Sequence, residues 1–93
     1  MRIVVTANAV SDISNIYSWI ASDSVARASF VTSRIMDAID HCIAPHPFIG
    51  KVGKIAGTRE WVVQGLPYIV VYTVDTARET LTIAGVVHGA RNR

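Results

Sequence analysis

Hydrophobic residues recur at helical spacing in the first part of the chain and in strand-like runs in the second. The first part covers residues 1–44 and opens with one short strand-like run. The run RIVVT at residues 2–6 is β-branched and predicts a short strand. Two segments at helical spacing follow, one at Val10, Ile13, Ile16, Tyr17 and Ile20, the next at Ala28, Val31, Ile35, Ile39, Cys42 and Ile43. The polar SDS at residues 22–24 separates them. This pattern predicts an antiparallel pair of helices, the first capped by Thr6 or Asn8.

The second part begins after the segment APHPFIGKVGK at residues 44–54, whose prolines end the helical part. Three strand-like runs follow: TREWVV at 58–63, YIVVYTV at 68–74 and TLTIAGVVH at 80–88. The intervening QGLP and DTARE are of hairpin length. The sequence therefore predicts a single α+β domain over residues 1–93, with a helical hairpin packed on an antiparallel sheet.

The middle run is apolar on both faces. Tyr68, Val70, Tyr72 and Val74 point one way, while Ile69, Val71 and Thr73 point the other. A strand of this kind is normally covered on both sides, and the helix pair covers only one of them. Two interpretations stay open: the sheet curls and the tail or the PHPF loop covers the second face, or another chain completes it.

Composition and charge indicate in which compartment the protein works and which partners it can bind. Half of the 93 residues are hydrophobic (51%) and 17% are charged, which is apolar for so small a domain. Cys42 has no second cysteine to pair with, which favours a reducing compartment, and neither a signal peptide nor a membrane span is evident, so we expect a cytoplasmic protein. Residues 1–50 carry net charge −1 and residues 51–93 carry +3, which is weak evidence for nucleic-acid binding.

Three short motifs carry a resemblance that covers about residues 3 to 91. They are Gly-Thr-Arg-Glu at 57–60, Pro-Tyr-x-x-x-Tyr at 67–72 and His-Gly-Ala-Arg at 88–91. In this order, the chain resembles the ParE/RelE superfamily of toxins from type II toxin–antitoxin (plasmid stabilisation) systems. The resemblance implies an N-terminal strand, a helical hairpin and a curved antiparallel sheet. It also implies a cognate antitoxin that wraps the toxin in an extended form.

Members of this superfamily differ in their targets. The resemblance implies either a RelE-like nuclease that cuts messenger RNA on the ribosome or a ParE-like inhibitor of DNA gyrase. RelE-like nucleases usually carry an arginine directly after the tyrosine of the middle strand, and here that position is Ile69. Because an isoleucine cannot stabilise charge on a phosphate, the sequence favours the ParE-like branch. A ribosome-dependent mRNA interferase and a non-toxic binding module of the same fold remain the alternatives.

The candidate site residues follow from these alternatives. We expect the partner-binding residues to include Trp19, Arg59, Trp61, Tyr68, Tyr72 and Arg91. If the protein is a nuclease, its catalytic candidates are Arg59, His88 and Arg91, converging with Lys51 and Lys54, which are also candidates for nucleic-acid binding. Arg59 and Glu60 must face opposite ways on a strand. If Arg59 lies on the side of Trp61, its guanidinium is expected to stack beside that ring or to pair with a carboxylate of an antitoxin or of a helix in this chain. No metal or cofactor is expected.

Overall fold

The N-terminal half folds as a strand and a helical hairpin, as its hydrophobic spacing predicts. In the computed structural model, which describes residues 1–90, β1 spans Arg2–Val5, α1 spans Ala7–Ala21 and α2 spans Val25–Ala38. Thr6 caps α1, because its hydroxyl oxygen accepts a hydrogen bond from Ala9 N at 3.1 Å. Ser24 caps α2 in the same way, accepting from Arg27 N.

The predicted apolar stripe of the second helix lies in the core. Ala28, Val31, Ile35, Ile39 and Ile43 are all buried, the last two in a π-helical turn over Ile39–Ile43 that continues α2. Cys42 is only half-buried. In α1 the prediction of Val10 as a core residue was wrong: its side chain is 56% exposed. The predicted Tyr17 is also exposed, at 36%. The predicted Ile13, Ile16 and Ile20 do pack against the core, and Ala9 takes the place of Val10.

The C-terminal half forms a five-stranded sheet. β2 spans Lys51–Val52, β3 Arg59–Val62, β4 Tyr68–Asp75 and β5 Thr80–His88, in the order β1-β5-β4-β3-β2. The α+β fold, the helical hairpin and the meander are confirmed. Two details were not predicted: β2 pairs with β3 at one edge, and β1 runs parallel to β5 at the other, which makes the sheet mixed.

The start of α1 covers the part of β5 that β1 does not reach. β1 pairs with β5 only as far as Ile83. Beyond it, Asn8 Nδ2 donates to Ala84 O at 2.9 Å, and Val86 N donates to Asp12 Oδ2 at 3.0 Å. Polar side chains from the helix therefore satisfy backbone groups that an edge strand would otherwise expose. A side chain at Gly85 would interfere, since its Cβ would lie 2.9 Å from Asp12 Oδ2.

The core lies between the helices and one face of the sheet. Val70, Tyr72, Leu81 and Ile83 are fully buried on that face and pack with the stripe of α2. Within residues 1–90, none of the helices combines the length and hydrophobicity that crossing a bilayer requires.

Candidate functional site

The face of the sheet opposite the helices is apolar and open. Along β4, Ile69, Val71 and Thr73 are half-buried, whereas the alternating Tyr68, Val70 and Tyr72 are buried. Val62 and Val87 stand opposite Ile69 on the two neighbouring strands. These residues make up what we call the open face: Val62, Ile69, Val71, Thr73 and Val87.

The PHPF loop does not cover the open face. The Tyr72 hydroxyl, which lies on the helix side of the sheet, donates to Pro47 O at 2.7 Å and accepts from Gly50 N at 2.9 Å. These contacts hold the loop against the helix side. The interpretation in which this loop covers the second face was therefore wrong, and the tail, the other candidate cover, ends in residues 91–93, which lie outside the described residues.

One loop lies over a corner of the open face. The segment 53–58 is folded back by a hydrogen bond from Gly53 N to Thr58 O at 2.8 Å, and Lys54 N donates to Glu60 Oε2 at 3.0 Å. Glu60 is only 6% exposed. A cavity of about 200 Å³ lies under this loop, with Val71 and Val87 as its apolar wall and Asp12 and Glu60 among its polar residues. The carboxylate of Glu60 thus serves to shape the loop.

Arg59 faces the opposite side of the sheet from Glu60, and its guanidinium contacts other residues of the same chain. Its Nη1 donates to Gly50 O at 2.8 Å, and its guanidinium lies 4.9 Å from the centre of the Phe48 ring. Burial raises the pKa of Tyr72 above its ordinary value of 10.0, while the hydrogen bond from Gly50 and the charge of Arg59 offset part of that rise. Arg59, Tyr72 and the backbone of Gly50 therefore form one cluster that fixes the chain before β2.

The aromatic residues predicted to bind a partner differ in how far their side chains are buried. Trp19 is 72% exposed on α1, and Trp61 is half-buried at the margin of the core. Tyr72 is fully buried and Tyr68 is 8% exposed, the latter packing edge-on against His88 at 5.5 Å between ring centres. Burial contradicts the predicted partner-binding role of Tyr72, because its ring presents no surface to another molecule. Tyr68 lines a cavity of about 440 Å³ together with Trp19 and His88, so its partner-binding role stays a prediction. Arg91 lies outside the described residues.

Comparison with known proteins decides the family. The family described as "ParE toxin of type II toxin-antitoxin system, parDE" matches residues 3–93. The chain belongs to the ParE toxin family. A curated protein of Sinorhizobium fredii (strain NBRC 101917 / NGR234), named "Putative toxin Y4kP", is 35% identical over 82 residues, which cover 88% of this chain and 84% of that protein.

Solved structures share the fold of this ParE-family chain. The chromosomal ParDE system from P. aeruginosa contains a chain that superposes with a TM-score of 0.78 at 15% identity, covering 95% of both chains. The toxin–antitoxin complex RelBE2 from Mycobacterium tuberculosis contains one with a TM-score of 0.70 at 17% identity, covering 94% of this chain and 95% of that one. At these identities the similarity establishes the fold alone, and the two neighbours come from a ParDE and a RelBE system.

The described cationic candidates of this ParE-family chain do not converge. Arg59 stands opposite Tyr72 and His88 opposite Tyr68, on either side of β4 and four residues apart along it, which separates them by about 13 Å along the strand. Lys51 pairs with Glu60 and so lies on the other face of the sheet from both. His88 is also engaged locally, since its Nδ1 accepts from Ala90 N at 3.1 Å. The predicted convergence was therefore wrong for Arg59, His88 and Lys51, and Arg91, its fifth member, lies outside the described residues.

Sequence reasoning missed three polar residues that shape the rim of the open face. Asn8 and Asp12 bind the backbone of β5, and Glu60 binds the backbone of Lys54. The signal for Glu60 was present, because an acidic residue inside a strand requires a partner when it is buried. For Asn8 and Asp12, the sequence gives no sign that the first turns of α1 lie beside β5.

Proposed function

We propose that this toxin inhibits DNA gyrase by binding it through the open face of the sheet, and that a cognate antitoxin neutralises it. The toxin acts in this proposal by protein contact rather than by cutting RNA. The observation that carries it is the open face itself: a half-buried apolar surface with Ile69 at its centre, opposite Val62 and Val87. Exposed apolar surfaces of this kind on small proteins mark sites of protein interaction.

The separation of the cationic residues supports contact over cleavage. An RNA-cleaving site needs groups that activate the 2′-hydroxyl, stabilise the phosphorane and protonate the leaving oxygen around one phosphate. Arg59 and His88 lie too far apart to act on one phosphate, and both already have partners within the chain. Lys51 and Lys54 are exposed at the edge and over a corner of the open face, where they suit contact with an acidic surface.

Family membership supports the antitoxin part of the proposal. The family is defined by type II toxin–antitoxin systems, and both structural neighbours come from such systems. Trp19, at 72% exposed, is the large aromatic residue best placed on the helical side to contact an antitoxin.

The target is tested by adding the purified protein to two reactions in parallel. One is DNA supercoiling by gyrase and the other is translation in a cell extract. We expect loss of supercoiling with trapped, cleaved DNA, and intact messenger on the ribosomes. Shortened ribosome-bound messenger would support the RelE-like alternative instead. Inactivity in both reactions, with no growth arrest on expression, would support a non-toxic binding module.

Replacing Ile69 with arginine tests whether the protein acts by contact with gyrase or by cleavage of RNA. Ile69→Arg restores the charge that RelE-like nucleases carry at this place, and the long side chain can reach solvent from a half-buried position. We expect gyrase inhibition to fall about tenfold or more, and no messenger cleavage to appear, because the other cationic groups stay apart. Messenger cleavage gained by this variant, measured in the translating extract, would contradict the proposal.

A further inference from the structure

A cavity lies beside the last residues of β5, where β1 no longer accompanies the strand. β1 pairs with β5 only as far as Ile83, so the end of β5 has α1 beside it instead. The cavity there has a volume of about 440 Å³, within the roughly 300–1,000 Å³ that small-molecule sites usually occupy. Its lining includes Asp12, Asn15 and Trp19 from α1, Tyr68 from β4, and Val86 and His88 from β5.

The polar groups of this cavity include two acceptors without a partner. Val86 N donates to Asp12 Oδ2, so the N–H and the C=O of Val86 both point away from β4, toward α1. Among residues 1–90, Val86 O meets no donor, and the two hydrogen bonds to the Asp12 carboxylate, from Asn8 Nδ2 and Val86 N, both end on Oδ2. Val86 O and Asp12 Oδ1 therefore remain to accept from a ligand.

Aromatic side chains surround these acceptors. Trp19 is 72% exposed, so its indole face is available to a ligand, and the rings of Tyr68 and His88 meet edge to face at 5.5 Å between their centres. With histidine counted as neutral, Asp12 supplies the formal charge of the lining, and that charge is negative. Aromatic faces beside a carboxylate favour an organic cation.

We propose that this cavity binds a small free molecule that carries an alkylguanidinium group. A guanidinium is planar and always charged, presents five N–H donors and stacks on aromatic faces. It therefore matches Asp12 Oδ1 and Val86 O as acceptors and Trp19 as the stacking face. A simple ammonium has the charge but lacks the flat face, and a nucleotide would bring its phosphates beside the Asp12 carboxylate. The proposal stands apart from gyrase inhibition and does not depend on it.

The test compares two probes of matched shape on the whole toxin, butylguanidinium and the neutral butylurea. Each is titrated into isotope-labelled protein, whose two tryptophan indole N–H resonances report on Trp19 in the cavity and on Trp61 outside it. We expect butylguanidinium to shift the Trp19 indole and the amides of Val86 and His88, and to bind at least about fivefold tighter than butylurea. Equal affinity of the two probes, or shifts confined to Trp61 and its surroundings, would overturn the proposal.

Two asparagine variants test the role of the charge. Asp12→Asn removes the charge but keeps an oxygen that accepts from Val86 N, so butylguanidinium binding should weaken about fivefold, to the level of butylurea. Asp37→Asn makes the same charge change on the exposed surface of α2, outside the cavity, and should bind within about twofold of wild type. Equal effects of the two variants would contradict the assignment.

A third variant tests the aromatic face without touching the end of β5. Because Trp19 is 72% exposed, Trp19→Leu should keep the native circular dichroism spectrum, and it should weaken butylguanidinium about threefold, as followed by the Val86 amide. Unchanged affinity would contradict the role of the indole, even if Asp12→Asn disturbed the fold.

A capped peptide, acetyl-Gly-Arg-Gly-amide, separates a free ligand from an arginine side chain of a protein. It should bind no more tightly than butylguanidinium. Tighter binding of the peptide would assign the cavity to a protein arginine and overturn the proposal. Because gyrase is absent from these titrations, their failure leaves the proposed target untouched.

Discussion

Ile69→Asp is expected to weaken gyrase inhibition by more than an order of magnitude while leaving the fold intact. Ile69 lies at the centre of the open face, opposite Val62 on one neighbouring strand and Val87 on the other. A carboxylate there would have to lose its hydration against apolar side chains when a partner binds. We expect Ile69 to act as an interface hot spot, which contributes about 2 kcal/mol or more, so potency in a supercoiling assay should fall by about 30-fold or more.

Val25→Asp is the matched control for this loss. Val25 is 60% exposed in the first turn of α2, away from the open face, and a negative charge suits that end of a helix. This variant should inhibit gyrase as strongly as wild type. Both variants should keep the circular dichroism spectrum of the native protein. Full potency of Ile69→Asp, or equal losses in the two variants, would show that the open face is not the contact surface.

Tyr72→Phe is expected to cause the largest loss of stability for the removal of a single atom. The hydroxyl accepts from Gly50 N and donates to Pro47 O inside a fully buried site. Phenylalanine fills the same ring volume but leaves the buried N–H of Gly50 without a partner, which costs about 1–3 kcal/mol. For a domain of this size, that corresponds to a fall in melting temperature of roughly 4–8 °C per kcal/mol.

The pH dependence of the same variant gives a second readout. Burial raises the pKa of Tyr72, so the folded state holds its proton more tightly than the unfolded state. The unfolding free energy of the wild type therefore falls as the pH rises above the ordinary tyrosine value of 10.0, and Tyr72→Phe should lack this component. Tyr17→Phe is the control for stability, because Tyr17 is 36% exposed and the loss of its hydroxyl should leave the melting temperature unchanged. Equal stability of wild type and Tyr72→Phe at neutral pH would show that the Tyr72 hydroxyl does not stabilise the segment Pro47–Gly50.

The elements themselves were predictable because each has a clear period. Residues 25–43 repeat their apolar positions at helical spacing, and the runs at 58–63, 68–74 and 80–88 are bounded by turn signals. β2 had no such signal. Its two residues lie in a glycine-rich loop and pair with β3 only because the folded-back segment 53–58 brings them there.

The site was harder to predict because β4 is apolar on both faces. Alternation separates Tyr68 and Tyr72 from Ile69 and Val71, but it does not tell which set packs against the helices. The tyrosines were expected at a partner surface and are buried, since their large rings fill the space under the hairpin. Arg59 was expected to stack beside Trp61 or to pair with a carboxylate, and among the described residues it does neither. Its guanidinium stacks on Phe48 and its hydrogen bonds go to backbone carbonyls, because the loop after Pro47 passes over it.

The central claim, that the open face binds gyrase, is tested most directly by a methyl footprint. The toxin is labelled at isoleucine and valine methyl groups, and cross-saturation from unlabelled gyrase is measured by NMR. The account predicts that the methyls of Ile69, Val71 and Val87 are saturated, while those of Val10 and Val25 on the exposed helix surfaces are not. Saturation of Val10 and Val25 with Ile69 unaffected would contradict it, and so would an absence of any transfer under conditions where gyrase is inhibited.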